Sequence, residues 1–189
     1  MPLTRNSVID SAELIIRKKG YNGFSLEEVA KDLQVDLPEI SQFFTERDQL
    51  ARAVAVRYTY NFLVALGDPS PKESNPEAQL KRYCGVFEKA YQDSGLACLC
   101  AVLSKEAATL PEDTKSAVVD FVTANIAWLT KALRGTDSTP EEESLKASAQ
   151  WIYCSLQGAL TAAALTEDSS WLNSAVDAVL EKHQMPKPV

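Results

Sequence analysis

The sequence predicts an all-α protein of about nine helices, and three observations carry that reading. Apolar residues recur with helical spacing in nearly every segment from Thr4 to Lys182, no stretch alternates with the period of a strand, and the breaks fall on capping and breaking residues. Val8, Ala12, Ile15 and Ile16 mark the buried stripe of a first helix over residues 4–19, ended by Gly20. Ser25-Leu26-Glu27-Glu28 reads as a reciprocal capping box, opening a short helix whose Leu26, Val29, Ala30 and Leu33 share a face. Asp36-Leu37-Pro38-Glu39 repeats the device, with proline where its missing N–H costs nothing, and predicts a third helix over 37–43. A fourth, 47–66, closes at Gly67-Asp68-Pro69-Ser70-Pro71.

The second half follows the same grammar. Asn75-Pro76 opens a helix reaching Ser94, with Leu80, Cys84, Phe87 and Tyr91 on one face and Gly95 as its breaker. Residues 98–109 read as another helix. Leu110-Pro111-Glu112 starts a longer one carrying the stripe Val119, Val122, Ile126, Leu129 and Leu133, and Gly135 to Ser138 is a loop. Thr139-Pro140-Glu141-Glu142 is a further capping box leading into residues 142–165, where Ile152, Leu156, Leu160 and Ala163 lie on one side, and 171–182 is the last helix.

With 189 residues, 46% hydrophobic and 24% charged, the chain has the composition of one ordinary globular domain or two small ones. No run approaches the roughly 18 apolar residues that span a bilayer, and Met1-Pro2-Leu3-Thr4-Arg5 lacks the apolar core of a secretory signal; a cytoplasmic protein without a membrane partner is expected. The single histidine, His183, stands where no surrounding structure holds it, which removes hydrolases built on a histidine base. No glycine-rich phosphate loop is present, and an acid pair such as Glu106 with Asp113 or Glu88 is the whole basis for an enzyme, so neither catalytic residues nor a cofactor are expected. The four cysteines read as free thiols. Cys98 and Cys100, two apart on a helix, would diverge by about 200° and cannot clasp one ion, so no metal site is expected.

The two short helices at 26–33 and 37–43, joined by a three-residue turn behind a longer helix, have the dimensions of a helix-turn-helix, whose second helix presents its outer face to a DNA major groove. A small helical subdomain without that role has the same dimensions. Thr4-Arg5, Ala12, Gly20-Tyr21, Ser25, Val29-Ala30, Val35, Phe44 and Leu50 fall in the order and spacing of the N-terminal domain of the TetR family of transcriptional regulators, which residues 4–57 resemble. The remaining chain has the length of that family's ligand-binding and dimerisation domain. Cys98-Leu99-Cys100-Ala101-Val102-Leu103, followed by Glu106-Ala107-Ala108-Thr109-Leu110-Pro111, is similar to a stretch of some members.

The resemblance implies a DNA-binding domain over residues 1–50, connected by helix 47–66 to an effector-binding and dimerisation domain over 51–189. It implies a homodimer on palindromic double-stranded DNA, a repressor released by a small-molecule or electrophile and redox effector. The DNA-facing residues are then Thr4, Ser25, Gln34, Asp36, Leu37, Pro38, Ser41, Gln42, Phe43 and Arg47. Several depart from the family pattern. Leu33-Gln34-Val35-Asp36 replaces a turn that usually carries glycine, Ser41 stands in place of a common phosphate-touching tyrosine, and Arg47 takes the place of a lysine. The candidate recognition helix has no lysine or arginine, and residues 1–60 hold eight Lys/Arg against nine Asp/Glu, a net of −1 in a chain of −7 overall. Phosphate neutralisation and bidentate guanine readout both need cations, so Gln42, Ser41 and backbone N–H groups are left to read the duplex. The alternative is a regulator-like dimer with degenerate DNA binding, acting as a small-molecule or protein binder.

In the second half, Cys84, Cys98, Cys100 and Cys154 are either sensors, which need a lowered thiol pKa of the kind a helix N-terminus at Cys98 would favour, or small hydrophobes. Phe87, Tyr91, Trp128, Trp151 and Tyr153 either enclose an effector pocket or fill a core. Val122, Ile126, Leu129, Leu156, Ala159, Leu160 and Ala163 are the expected dimerisation residues, two helices from each subunit forming an isologous four-helix bundle. The linker at 67–75 is where a hinge between ligand site and reading head is expected.

Overall fold

Helix α1 (Arg5–Lys19) begins where Thr4 and Ser7 exchange hydrogen bonds: the Thr4 hydroxyl accepts from the Ser7 N–H at 3.1 Å and the Ser7 hydroxyl from the Thr4 N–H at 3.0 Å. It ends at Gly20, whose N–H still reaches Ile16. At α2 (Leu26–Leu33) half of the expected box forms: Ser25 Oγ accepts from the Glu28 N–H at 3.2 Å, while the Glu28 carboxylate is drawn to Lys19 instead. Helix α3 (Leu37–Ser41) is two residues shorter than its periodicity suggests, because the Ile40 carbonyl takes both the Phe43 and Phe44 N–H groups and tightens the last turn. Next come α4 (Arg47–Leu66), α5 (Pro76–Ser94, capped by Asn75 Oδ1), α6 (Leu99–Ser104), α7 (Glu112–Leu133), α8 (Glu142–Thr166) and α9 (Ser170–Lys182).

The molecule is a computed structural model that describes residues 3–69, 75–134 and 141–183; among these there are nine helices and no strand. The expected Thr139-Pro140 cap, the loop at 135–138 and most of the 67–75 linker lie outside the described residues. No helix of the described residues is long and apolar enough to cross a membrane.

The chain gathers into two units, each discontinuous in sequence. The first takes in residues up to Asn61 together with Cys98–Phe121, so the unit holding the helix-turn-helix extends past residue 50 and includes α6 and the start of α7. Its core is Val8, Ile9, Ala12 and Ile16 of α1 with Phe24, Val29, Ile40, Phe44, Leu50 and Val54, all buried. The second unit draws on the described residues of Phe62–Ala97 and those from Val122 onward. Here α5, α8 and α9 pack on one another around Leu80, Ile152, Leu156, Leu160 and Val179. An aromatic cluster links α5 to the ends of α4 and α7 that belong to this unit: Tyr83 stacks on Trp128 with ring centroids 5.6 Å apart and tilts against Phe87 at 5.4 Å, and Phe62 meets both Tyr83 and Phe87 edge-on.

Candidate nucleic-acid interface

The helix-turn-helix is built from α2, a turn at 34–36 and α3. Gln34 sits in the turn at φ 57° and ψ 43°, the left-handed region in which a glycine is at home, with its N–H bonded back to Ala30 and Lys31. A Cβ there costs about 1–2 kcal/mol of local strain. We expect Gln34→Gly to raise the unfolding free energy by about 0.5–1 kcal/mol after glycine's own entropy is deducted, measured by urea titration; a loss of stability would show that the Gln34 side chain holds the turn.

The outer surface of α3 presents exposed Asp36, Leu37, Pro38, Glu39 and Gln42, with Ser41 and Phe43 half-buried and Ile40 turned into the core. The Asp36 N–H donates to Glu39 Oε1 at 3.1 Å, so this acidic pair serves the cap, and Ser41 Oγ donates to the Leu37 carbonyl at 3.0 Å. Of the sequence-predicted contacts, Gln42 is the side chain left with free amide groups facing outward among the α3 residues. Thr4 and Ser25 are both engaged as helix caps.

Arg47 opens α4, just after this surface in the sequence, while Arg5 and Arg52 share a groove with Phe43 and Phe44. Arg47 Nη2 donates to the Tyr21 hydroxyl at 3.0 Å, its guanidinium lies 4.3 Å from the Tyr21 ring centroid, and its Nε approaches Asp48 at 3.7 Å. The Tyr21 hydroxyl in turn donates to the Asp48 carboxylate. Burial first, and then that bond to Asp48, push the Tyr21 phenol above its ordinary 10.0. With Nη2 on the Tyr21 hydroxyl and Nε near Asp48, the guanidinium has a further N–H edge of the kind that binds a phosphate oxygen.

The residues expected to sense an effector or to form a dimer separate into buried and exposed groups. Cys84 is 1% exposed, and burial followed by the Glu88 charge pushes its thiol up to about 12. Cys98 and Cys100 are also buried, and the hydrogen bond that the Cys100 thiol makes to Cys98, then burial, holds that thiol well above its ordinary value; for Cys84 and Cys100 this is the opposite of the lowered pKa that a sensor needs. The two thiols meet rather than diverge, because Cys98 is the non-helical N-cap of α6 and the helical rotation between them never applies. Cys154 on α8 is exposed. Phe87 and Trp128 belong to the filled aromatic cluster, half-buried Tyr91 donates to the Ala163 carbonyl at 3.3 Å, and Trp151 stands apart with Lys182 Nζ 3.9 Å from its ring centroid. Among the described residues no group of three His, Cys, Asp or Glu side chains is arranged to hold a metal ion.

Leu129, Leu156, Leu160 and Ala163, expected at a dimer interface, are at most 1% exposed in the folded chain and have no surface to offer a second copy. Ala159 is half-buried on the same helix, while Val122 and Ile126 line a groove of about 720 Å³ together with Thr130, Glu142 and Gln150. The exposed apolar stripe of α8 is instead Trp151, Cys154, Gly158 and Leu165, with Leu165 84% exposed. Periodicity alone missed it because α8 is apolar on both sides.

A helix-turn-helix in one unit and further helices in the other are an architecture that helical DNA-binding regulators share. No protein-family model matches the sequence, and no curated protein does. Solved structures do. A TetR transcriptional regulator from Legionella pneumophila superimposes with a TM-score of 0.87 at 22% identity, covering 96% of this chain and 98% of that one. A TetR-family regulator from Agrobacterium tumefaciens gives 0.83 at 23% over 94% and 96%, and NemR of E. coli in its reduced form gives 0.75 at 21% over 93% and 94%. The fold of this chain is that of the TetR-family transcriptional regulators.

Proposed function

We propose that the chain is a dimeric transcriptional regulator that reads a palindromic operator through the α2–α3 heads and is released by an effector bound in its second unit. The observation that carries this reading is an exposed α3 surface ending in Gln42, with Arg47 following at the start of α4, on a fold matched nearly end to end by regulators. Adenine readout by Gln42 and a phosphate contact by Arg47 are the roles these side chains can fill. Selection of duplexes with purified protein at low salt is expected to enrich a palindrome. Arg47→Ala should weaken binding to all sequences alike, and Gln42→Ala should relax preference at one position per half-site. Enrichment of no sequence would favour the second reading, a dimer that no longer reads DNA, for which the exposed Asp36 and Glu39 on a cation-free α3 speak.

For release, the geometry favours a small molecule over a thiol reagent acting on Cys84, Cys98 or Cys100, since those three sulfurs are buried and Cys84 and Cys100 are held protonated. The groove beside Val122 and Ile126 has the volume of an ordinary ligand site. For dimerisation, Trp151, Gly158 and Leu165 recur at intervals of seven along α8, the seam of a helix pair. A side chain built at Gly158 meets nothing within 4 Å of its Cβ. Gly158→Glu is therefore expected to leave the protomer folded while converting the dimer to monomer in sedimentation equilibrium. A variant that remains dimeric would move the interface elsewhere.

A further inference from the structure

The turn between α1 and α2 is held by a residue 85 positions away. Glu106 follows the end of α6, and its carboxylate accepts two adjacent backbone N–H groups: Tyr21 on Oε1 at 3.0 Å and Asn22 on Oε2 at 2.8 Å. Both amides fall between the end of α1 and the cap of α2. The Asn22 side-chain amide donates to Thr109 Oγ1 at 3.3 Å, and that hydroxyl donates to the Glu106 carbonyl at 3.0 Å, fixing the clasp from both ends. Gly20 makes room for it, since a Cβ at that position would stand 2.0 Å from Glu106 Oε1.

Tyr21 is thus gripped at two points. Its backbone is bound by Glu106, and its ring and hydroxyl carry Arg47 and Asp48 at the start of α4. With its backbone N–H on Glu106, its ring buried and its hydroxyl bonded to Asp48, Tyr21 offers the guanidinium a ring held at both ends. We propose that Glu106 is a positioning residue for DNA binding: through Tyr21 it sets the Arg47 guanidinium where the operator phosphate will lie. The inference rests on the DNA-reading function proposed above and adds to it a residue outside the helix-turn-helix.

The sign of the effect separates this role from plain electrostatics. Removing a carboxylate from an acidic reading head would by charge alone strengthen phosphate binding. Positioning predicts the reverse.

The test uses the full chain and the duplex it selects, titrated at several salt concentrations for wild type, Glu106→Gln, Arg47→Ala and the double variant. Glutamine keeps the size of the side chain and one acceptor, so the head stays folded, which the melting curve checks. Each single variant is expected to weaken binding by about tenfold and to lower the dimer's salt slope by about two, one phosphate per half-site, with the double variant no weaker than Arg47→Ala alone. Glu106→Gln binding as tightly as wild type, or losses that multiply in the double variant, would overturn the proposal while leaving the regulator intact. A wild-type chain that binds no duplex overturns the regulator and this role together. A readout without DNA follows the same linkage: the Tyr21 phenol, resolved by NMR of ring-labelled tyrosine, should titrate nearer 10.0 in Glu106→Gln than in wild type, and an unchanged titration would also overturn it.

Discussion

Gly20→Ala is expected to lower the unfolding free energy by about 3 kcal/mol, for two separable reasons. The backbone there has φ 77° and ψ 176°, a region that a residue with a Cβ occupies only at a cost of about 1–3 kcal/mol. The added methyl would also stand 2.0 Å from Glu106 Oε1, so the carboxylate must leave the Tyr21 and Asn22 amides, at about 1–3 kcal/mol for the abandoned donors. At roughly 2–4 °C per kcal/mol for a chain of this size, thermal unfolding should shift down by about 6–12 °C. Glu106→Ala in the same background removes the collision but not the backbone strain. The double variant should then be more stable than the sum of the two single losses by about 1 kcal/mol or more, and strict additivity would show that the carboxylate is not seated against Gly20.

The second large effect lies in the other unit. Trp128 is 6% exposed, stacks on Tyr83 and donates its indole N–H to the Gly67 carbonyl at 2.7 Å. Trp128→Ala should cost about 3–5 kcal/mol in urea unfolding, the usual range for truncating a buried aromatic. Trp128→Phe keeps a ring in the cluster and gives up the hydrogen bond, for about 1–2 kcal/mol. A loss below about 1 kcal/mol for the alanine variant would mean that these rings border a space rather than fill one, and would return them to the list of effector-site residues.

Features with a cause inside four or five residues were legible before any coordinates. Ser25 and Asn75 cap the helices they were expected to cap, Gly20 and Gly95 end theirs, and the departure at Gln34 marked a turn that proves to be left-handed, while Thr4, read as helical, is the N-cap of α1. What stayed hidden depends on partners far along the chain. The helix expected over 98–109 stops at Ser104, and Glu106 just beyond it turns its carboxylate to the α1–α2 turn, 85 residues away. The half-formed box at Ser25 likewise depends on Lys19, which competes for Glu28 from another helix. The faces of α8 could not be ranked from periodicity, because Leu156, Leu160 and Ala163 and the stripe of Trp151, Gly158 and Leu165 are both apolar; only packing decided which one became core. The candidate reading surface itself was legible as a set of positions, whereas the engagement of Arg47 by Tyr21 was not.

That engagement belongs to a wider habit of the helix-turn-helix unit, in which several cations are tied to internal partners while Lys18, Lys31 and Arg52 stay exposed. Arg57 reaches Asp10 at 2.6 Å, Lys19 holds Glu28, Arg17 approaches Glu13, and Arg5 lies 4.7 Å over the Phe44 ring. Non-specific affinity for DNA, and the sliding that depends on it, come from loosely held cations moving along the phosphates. If the chain reads DNA as proposed, a regulator with five of the eight cations of residues 1–60 tied to internal partners, in a chain of net charge −7, would be weakly steered from a distance and weakly retained on the wrong sequence. It would search by repeated three-dimensional encounters, so operator occupancy would follow the number of copies in the cell more closely than the amount of surrounding DNA.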